Sequence, residues 1–433
     1  GGVNCSDHEV NIKILLNQVV AAGDMTEKQR NQLLAQMTDE VAELVLRDNR
    51  QQTAAISLEL CQAASLLPVH GRLLQALEKA GTLSRTLERL PDDEILGERR
   101  RQGRGLTGPE LAVLLAYAKL DLCSQLLASE LPDEAALAPW LSTYFPTALR
   151  ARYAVEIGRH PLKREIIATQ LANAVLNRMG SSFVFRLAEE TRATPAQIVR
   201  AWCHADRLLG GAALWAALEA LELAVEVQYG TLLELRKALE RVTRWVLRLP
   251  AEGRAVRLAA LERRLPALLA QAQSLSGCAG ERTRLEAAGV EPALAAKVAC
   301  LEAVLSLLDI ARLAEDHALA EHAVATVYFG LERMLRLDWL RRLINALPRD
   351  NRWQAMARSA FRDELYQEHA RLTLHVLDGA AREPAETRLA AWLDERREAV
   401  AHCGRLFDEL KAMSPDFTLL SAALREVRSR LAT

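Results

Sequence analysis

The chain has 433 residues, with 55 Lys and Arg against 56 Asp and Glu, a formal net charge of −1. That balance excludes a globally basic nucleic-acid surface, and the 50% hydrophobic content excludes disorder over most of the length. Glycine (21), proline (14) and aromatics (5%) are all sparse, so Leu, Ala and Val carry the apolar share, a mixture that suits helices.

From Thr26 onward helix follows helix. Thr26 and Gln29 have capping-box spacing, and Leu33, Met37, Val41 and Leu44 then recur on one face. A charged stretch over 90–105 reads as a loop. Thr107 and Glu110 repeat the capping spacing with Pro109 in the first turn, ahead of a stripe of Leu111, Leu115, Ala118, Leu122 and Leu126. Pro132, Pro139 and Pro146 interrupt the pattern, and a helix over 162–179 is expected to stop at Gly180. Thr194, Pro195 and Gln197 announce another start.

The longest regular signal follows: Leu214, Leu218, Leu221, Val225, Gln228, Leu232, Leu235, Leu239, Val242, Val246 and Leu249 alternate steps of four and three. This heptad seam predicts one continuous helix on the order of 50 Å long that needs a partner. Gln228 is its only polar member, either setting register or filling a gap that tolerates an amide. A shorter seam, Leu294, Val298, Leu301, Leu305 and Leu308, is placed to pack against it, and two more helices are expected over 386–412 and 417–431. No alternating strand of five or more residues follows Asn11. The expected fold is therefore all-α, a multi-helix bundle with one long heptad-patterned helix.

Several site motifs are weak on physical grounds. Gly103, Gly105 and Gly108 spell GxGxxG, but Glu98, Arg99, Arg100, Arg101 and Gln102 precede them and cannot form the buried strand that a dinucleotide loop requires. A helix entry is the preferred reading. Arg99, Arg100, Arg101 and Arg104 suit a solvated loop better than a grip on phosphate. The segment 194–209 hints at helix-turn-helix but lacks a basic recognition helix, so no nucleic-acid partner is expected. No histidine pair stands four apart and the seven cysteines include no CxxC, so no metal is expected, and reduced, buried thiols in a cytoplasmic protein are. No uncharged apolar run reaches 18 residues, so no membrane span is expected. The opening GGVNCSDHE has neither a secretory signal nor an initiator Met, and the chain is expected to be a fragment.

That opening carries the most specific signal. Gly1, Gly2, Val3, Ser6 and Glu9 form a Gly-Gly-Val-x-x-Ser-x-x-Glu run that resembles the cleft-closing segment of glutamate dehydrogenases. The stretch from Gly2 to Lys13 resembles the large, multidomain NAD-specific bacterial class, as do the blocks Arg104 to Lys119, His160 to Thr191 and Asp350 to Tyr366. The resemblance implies a lysine-based site, oxidising glutamate to 2-oxoglutarate and ammonium with hydride passed to NAD. It implies that Val3 meets the substrate's aliphatic stem, that the Ser6 hydroxyl donates to its side-chain carboxylate, and that the backbone at Gly1 and Gly2 lies near the nicotinamide. On spacing alone Ser6 is also an N-cap for a helix beginning near Asp7, with Glu9 as its partner. Asn4 departs from the Asp expected in that class, which puts a local polar contact in doubt.

No Lys-Gly-Gly segment and no strand-borne dinucleotide fingerprint occur, and both are expected upstream of Gly1. The resemblance thus divides the chain into 1–20, a short remnant of the α/β nucleotide-binding domain at the tail of the catalytic domain; 21–205, a region of amphipathic helices; and 206–433, containing the rod and the C-terminal helices. The expected partners are the upstream catalytic domain and further copies of the chain. A stand-alone helical scaffold is the alternative.

Overall fold

A computed structural model of the chain describes residues 2–250, 252–272, 276–378, 383–413 and 415–432. Every regular element among them is a helix. The chain divides into two compact units, one of residues 1–188 and 192–202, the other of 189–191 and 203–433.

The first unit begins with the helix Gly2–Ala21. It buries Ile12, Leu15, Leu16 and Val19, whose three- and four-residue spacing places them on one face. The helix Thr38–Leu60 packs against it and also meets Gly108–Leu127, which in turn makes the most extensive helix pair of the unit with Lys163–Met179. A second cluster, including Leu67, Leu74, Leu77, Leu106 and Leu111, lies around Ala63–Lys79.

Local chemistry sets most of the boundaries. Thr26 caps Glu27–Gln36 through a reciprocal box with Gln29, and the Thr107 and Thr194 amides donate to Glu110 and Gln197 at 2.7 and 2.9 Å. Gly180 ends its helix with φ +89°. The proline-rich stretch forms two 3-10 turns, Leu131–Asp133 and Ala135–Leu137, and the short helices Ala138–Tyr144, Thr147–Arg150 and Ala154–Gly158.

Residues 93–101, expected as loop, are helical. Asp92 caps Asp93–Arg101 by accepting from the Ile95 amide at 2.9 Å, and Leu96 anchors the helix in the core. Charge density disguised a well-capped helix of about two and a half turns.

The second unit corrects the rod. The seam is carried by two helices, Gly211–Glu219 and Val225–Arg248, with a break over 220–224. Leu214, Leu218, Leu232, Leu235, Leu239, Val242, Val246 and Leu249 are buried as the pattern requires, but Val225 is 56% exposed. The two helices pack on each other, so the long helix finds part of its partner within its own seam. The shorter seam is also divided, into Pro292–Ala299 and Val304–Asp316, and both pieces contact Val225–Arg248. The stretch expected as one helix over 386–412 divides at Arg396 into Ala385–Glu395 and Arg397–Ala412. The rest of this core gathers Tyr328, Leu331, Leu340, Ile344 and Phe407 between Glu321–Met334, Leu337–Ala346 and Arg352–Leu377. Arg244 binds Glu190 through Nε and Nη2 at 2.9 and 2.6 Å, an ion pair sequestered from solvent.

Candidate functional site

The residues expected to touch substrate lie at the start of Gly2–Ala21. Val3 and Ser6 are within the helix, whereas Gly1 is outside the described residues. Because the helix already begins at Gly2, Ser6 is not its N-cap. Glu9 correspondingly pairs with Lys13 one turn on rather than reaching back to a cap. No strand accompanies this segment among the described residues, so the expected remnant of the α/β domain appears here as helix.

One turn into the helix, a polar network fastens it to the unit beneath. His8 and Asn11 are buried on the same face as Ile12 and Leu15. The Asn11 amide donates to the Tyr144 hydroxyl at 2.9 Å, and that hydroxyl donates to Asp7 Oδ2 at 2.9 Å. The Asn11 amide also reaches Asp7 Oδ1 and the Asp7 carbonyl, at 3.2 and 3.1 Å. Burial, and then the Asp7 charge, push the Tyr144 phenol well above its ordinary range, so it stays protonated and remains a donor.

His160 supports the network from below. Its Nδ1 accepts from the Leu162 amide at 3.1 Å, which leaves Nε2–H to donate to the Asn11 carbonyl at 3.2 Å. Burial holds its pKa below the usual imidazole value, consistent with this neutral form. The His8 ring stacks on Tyr144, 4.5 Å between centroids, and its Nε2 lies 3.5 Å from Asp48 Oδ2. Behind Asp48, burial lowers the Lys119 ammonium to about 8, partly countered by the Asp48 charge.

Three stretches picked out by family resemblance, around Gly2 to Lys13, Ala118 to Lys119 and His160 to Leu162, therefore meet in one place. Tyr144 and Asp48 complete it and carried no sequence signal of their own.

The other candidates resolve as packing. A Cβ on Gly105 would lie 2.2 Å from the Ala63 carbonyl carbon, so this glycine permits close approach of backbone to backbone. Gly103 adopts φ +67° at a helix exit, and Arg99 forms a two-pronged pair with Glu110 at 2.6 and 2.9 Å. The run is thus a helix entry pinned by backbone packing at Gly105, with no strand among the described residues to deliver it under the pyrophosphate of NAD. Cys203, Cys278, Cys300 and Cys403 are buried as expected, but Cys61 is exposed.

Glu59, His70 and Ser181 bring together the residue types of a hydrolytic triad without its geometry. The Ser181 hydroxyl and amide both donate to Glu59 Oε1, the amide at 3.0 Å, while His70 Nε2 stands 3.5 Å from that same oxygen. All three residues are buried, and the serine is bonded to the acid rather than to the imidazole. Nearby, a mainly apolar cavity of about 240 Å³ lies among Leu77, Leu122, Leu176, Val184 and Phe185. Asp121 is on its wall, its carboxyl pushed above the ordinary value by burial.

Residues 103–429 match the family model described as glutamate dehydrogenase, C-terminal. The chain belongs to this family. Residues 1–59 match a second model, bacterial NAD-glutamate dehydrogenase, catalytic domain, which takes in the anchored N-terminal helix and the helix bearing Asp48. The chain is 41% identical over 441 aligned residues to an NAD-specific glutamate dehydrogenase of Halomonas elongata. It is 38% identical to that of Mycobacterium tuberculosis and 40% identical to that of Pseudomonas aeruginosa. Each alignment covers 99% of this chain but only 27% of the relative's length. Among the described residues of this glutamate dehydrogenase C-terminal region, no helix is long and apolar enough to cross a membrane.

Proposed function

We propose that the chain is the C-terminal portion of a large, cytoplasmic, NAD-dependent glutamate dehydrogenase. The reaction is L-glutamate, NAD and water giving 2-oxoglutarate, ammonium and NADH. The observation that carries this reading is the succession, in one chain, of a match to the bacterial catalytic domain over 1–59 and a match to the C-terminal family over 103–429.

In this reading residues 1–20 are the tail of the catalytic domain. Val3 packs on the aliphatic stem of glutamate, Ser6 donates to its side-chain carboxylate, and the backbone of Gly1 and Gly2 approaches the nicotinamide. The catalytic lysine and the dinucleotide-binding strand belong upstream, so the fragment alone neither turns over glutamate nor binds NAD tightly. The helical regions 21–205 and 206–433 serve assembly of a homo-oligomer or regulation of the catalytic domain to which they are joined.

The test is Ser6→Ala in the full-length protein. Loss of one charge-assisted hydrogen bond costs roughly 1.5 to 3 kcal/mol, so kcat/KM for glutamate should fall about 10- to 150-fold. An unchanged kcat/KM removes Ser6 from the substrate site.

A further inference from the structure

We propose that Tyr144 is a positioning residue for the substrate rim: its hydroxyl, bonded to Asp7 and Asn11, fixes the helical turn that carries Val3 and Ser6 and thereby sets the affinity for glutamate. The inference rests on the reading of Val3 and Ser6 given above and adds the residue that holds them.

A helix start frays unless tertiary contacts tie it down. Ser6 immediately precedes Asp7, and Val3 lies one turn before it, so fixing Asp7 fixes both through helical geometry. The contacts that do so reach far along the chain: Tyr144 is 137 residues from Asp7 and 133 from Asn11. Its phenol serves as acceptor and donor at once, tying the Asn11 amide and the Asp7 carboxylate to one oxygen.

Tyr144 is itself rigidly held. It is buried at the end of Ala138–Tyr144, against the edge of Phe145 on one side and the His8 ring on the other. Arg150 clamps the backbone around it, Nε to the Phe145 carbonyl at 2.7 Å and Nη2 to the Thr143 carbonyl at 3.2 Å. The bond from Tyr144 to Asp7 is a hydroxyl on a carboxylate, of the stronger, charge-assisted kind. A displacement of the helical region under Tyr144 is thus transmitted to the turn bearing Ser6.

The experiment is a double-mutant cycle in the full-length protein with Tyr144→Phe, which keeps the ring and drops the hydroxyl, and Ser6→Ala. Tyr144→Phe should raise KM for glutamate roughly three- to thirty-fold and leave kcat within about twofold, the pattern of lost binding rather than lost chemistry. On the Ser6→Ala background its effect on kcat/KM should shrink to less than about twofold, because Tyr144 acts through that turn.

A KM unmoved by Tyr144→Phe, where Ser6→Ala is harmful, overturns the positioning role and leaves the Ser6 assignment standing. Effects that multiply in full in the double variant mark Tyr144 as merely structural and also overturn it. A silent Ser6→Ala sinks the underlying assignment first, and the route through it. Should Tyr144→Phe lower Tm by more than about 5 °C, Asp7→Asn, which keeps the phenol and weakens the same bond, takes its place in the cycle with the same outcomes.

Discussion

The side-chain amide of Gln228 donates to the backbone carbonyl of Leu218 at 3.1 Å and to those of Glu219 and Leu221 at 3.3 and 3.0 Å. The polar residue of the heptad seam therefore adds a side-chain donor to the carbonyl end of Gly211–Glu219 and to Leu221 in the break, where the Leu218 carbonyl otherwise accepts from the Leu221 amide at 3.4 Å. Gln228→Leu removes that donor while keeping the side chain's bulk. It should destabilise the second unit by about 1 to 2 kcal/mol, seen as a lower urea midpoint with unchanged slope. A stability equal to or above that of the parent would mean that the amide is dispensable and that a continuous rod is accessible to this sequence.

Gly105 and Gly108 distinguish packing from ligand binding in the glycine run. Gly105→Ala drives a Cβ into the Ala63 backbone and should cost about 3 kcal/mol, since neither segment can yield without moving its helix. Gly108→Ala enters open space at the first turn of Gly108–Leu127 and should stay within about 0.5 kcal/mol of the parent. Thermal or urea unfolding of the two variants checks the contrast. Equal effects on stability would remove the close contact as the reason for glycine at 105.

What the sequence makes legible is local. The boxes at Thr26, Thr107 and Thr194 and the stop at Gly180 are written in a few adjacent residues, because capping chemistry acts within one turn. The break over 220–224 escapes such reading. Leu221 and Val225 keep the heptad rhythm through it, with no proline or glycine to mark it, and only the exposure of Val225 betrays it. The division at Arg396 is hidden in the same way. At the candidate site, Val3, Ser6, Asn11 and His160 lie in stretches picked out by resemblance. Tyr144 and Asp48 become visible only when the helices pack, since tyrosine beside a proline-rich stretch and aspartate in a charged helix announce nothing.

Ser181 and Glu59 supply a prediction about what the buried polar cluster is for. The serine's hydroxyl and amide converge on one carboxylate oxygen in a region sealed from solvent. Ser181→Ala keeps the amide bond and removes the hydroxyl. It should cost about 1 to 3 kcal/mol of stability, the range for leaving a buried polar group short of a partner. In the full-length protein kcat should not change. A selective loss of kcat at unaltered stability would show that the cluster does chemistry.

His369 gives the chain a pH dependence of stability. It is buried, its ring stacked on Tyr328 at 3.6 Å between centroids, with Nε2–H donating to the Tyr328 carbonyl at 2.9 Å. Burial lowers its pKa to about 3 from an ordinary value of 6.5. Between those values the unfolded chain takes up a proton that the native chain refuses, so stability falls as the pH drops below about 6.5, with a limiting slope near 1.4 kcal/mol per pH unit. From pH 7 to pH 5 this one histidine should remove about 2 kcal/mol. Asp309, its carboxyl raised by burial, adds a pH dependence of its own, so the histidine's contribution is isolated by difference. His369→Gln can still donate to the Tyr328 carbonyl but does not titrate. Urea unfolding at pH 7 and pH 5 should therefore show the variant losing about 2 kcal/mol less than the parent over that interval. A difference below about 0.5 kcal/mol would mean that the native state accommodates the imidazolium despite its burial.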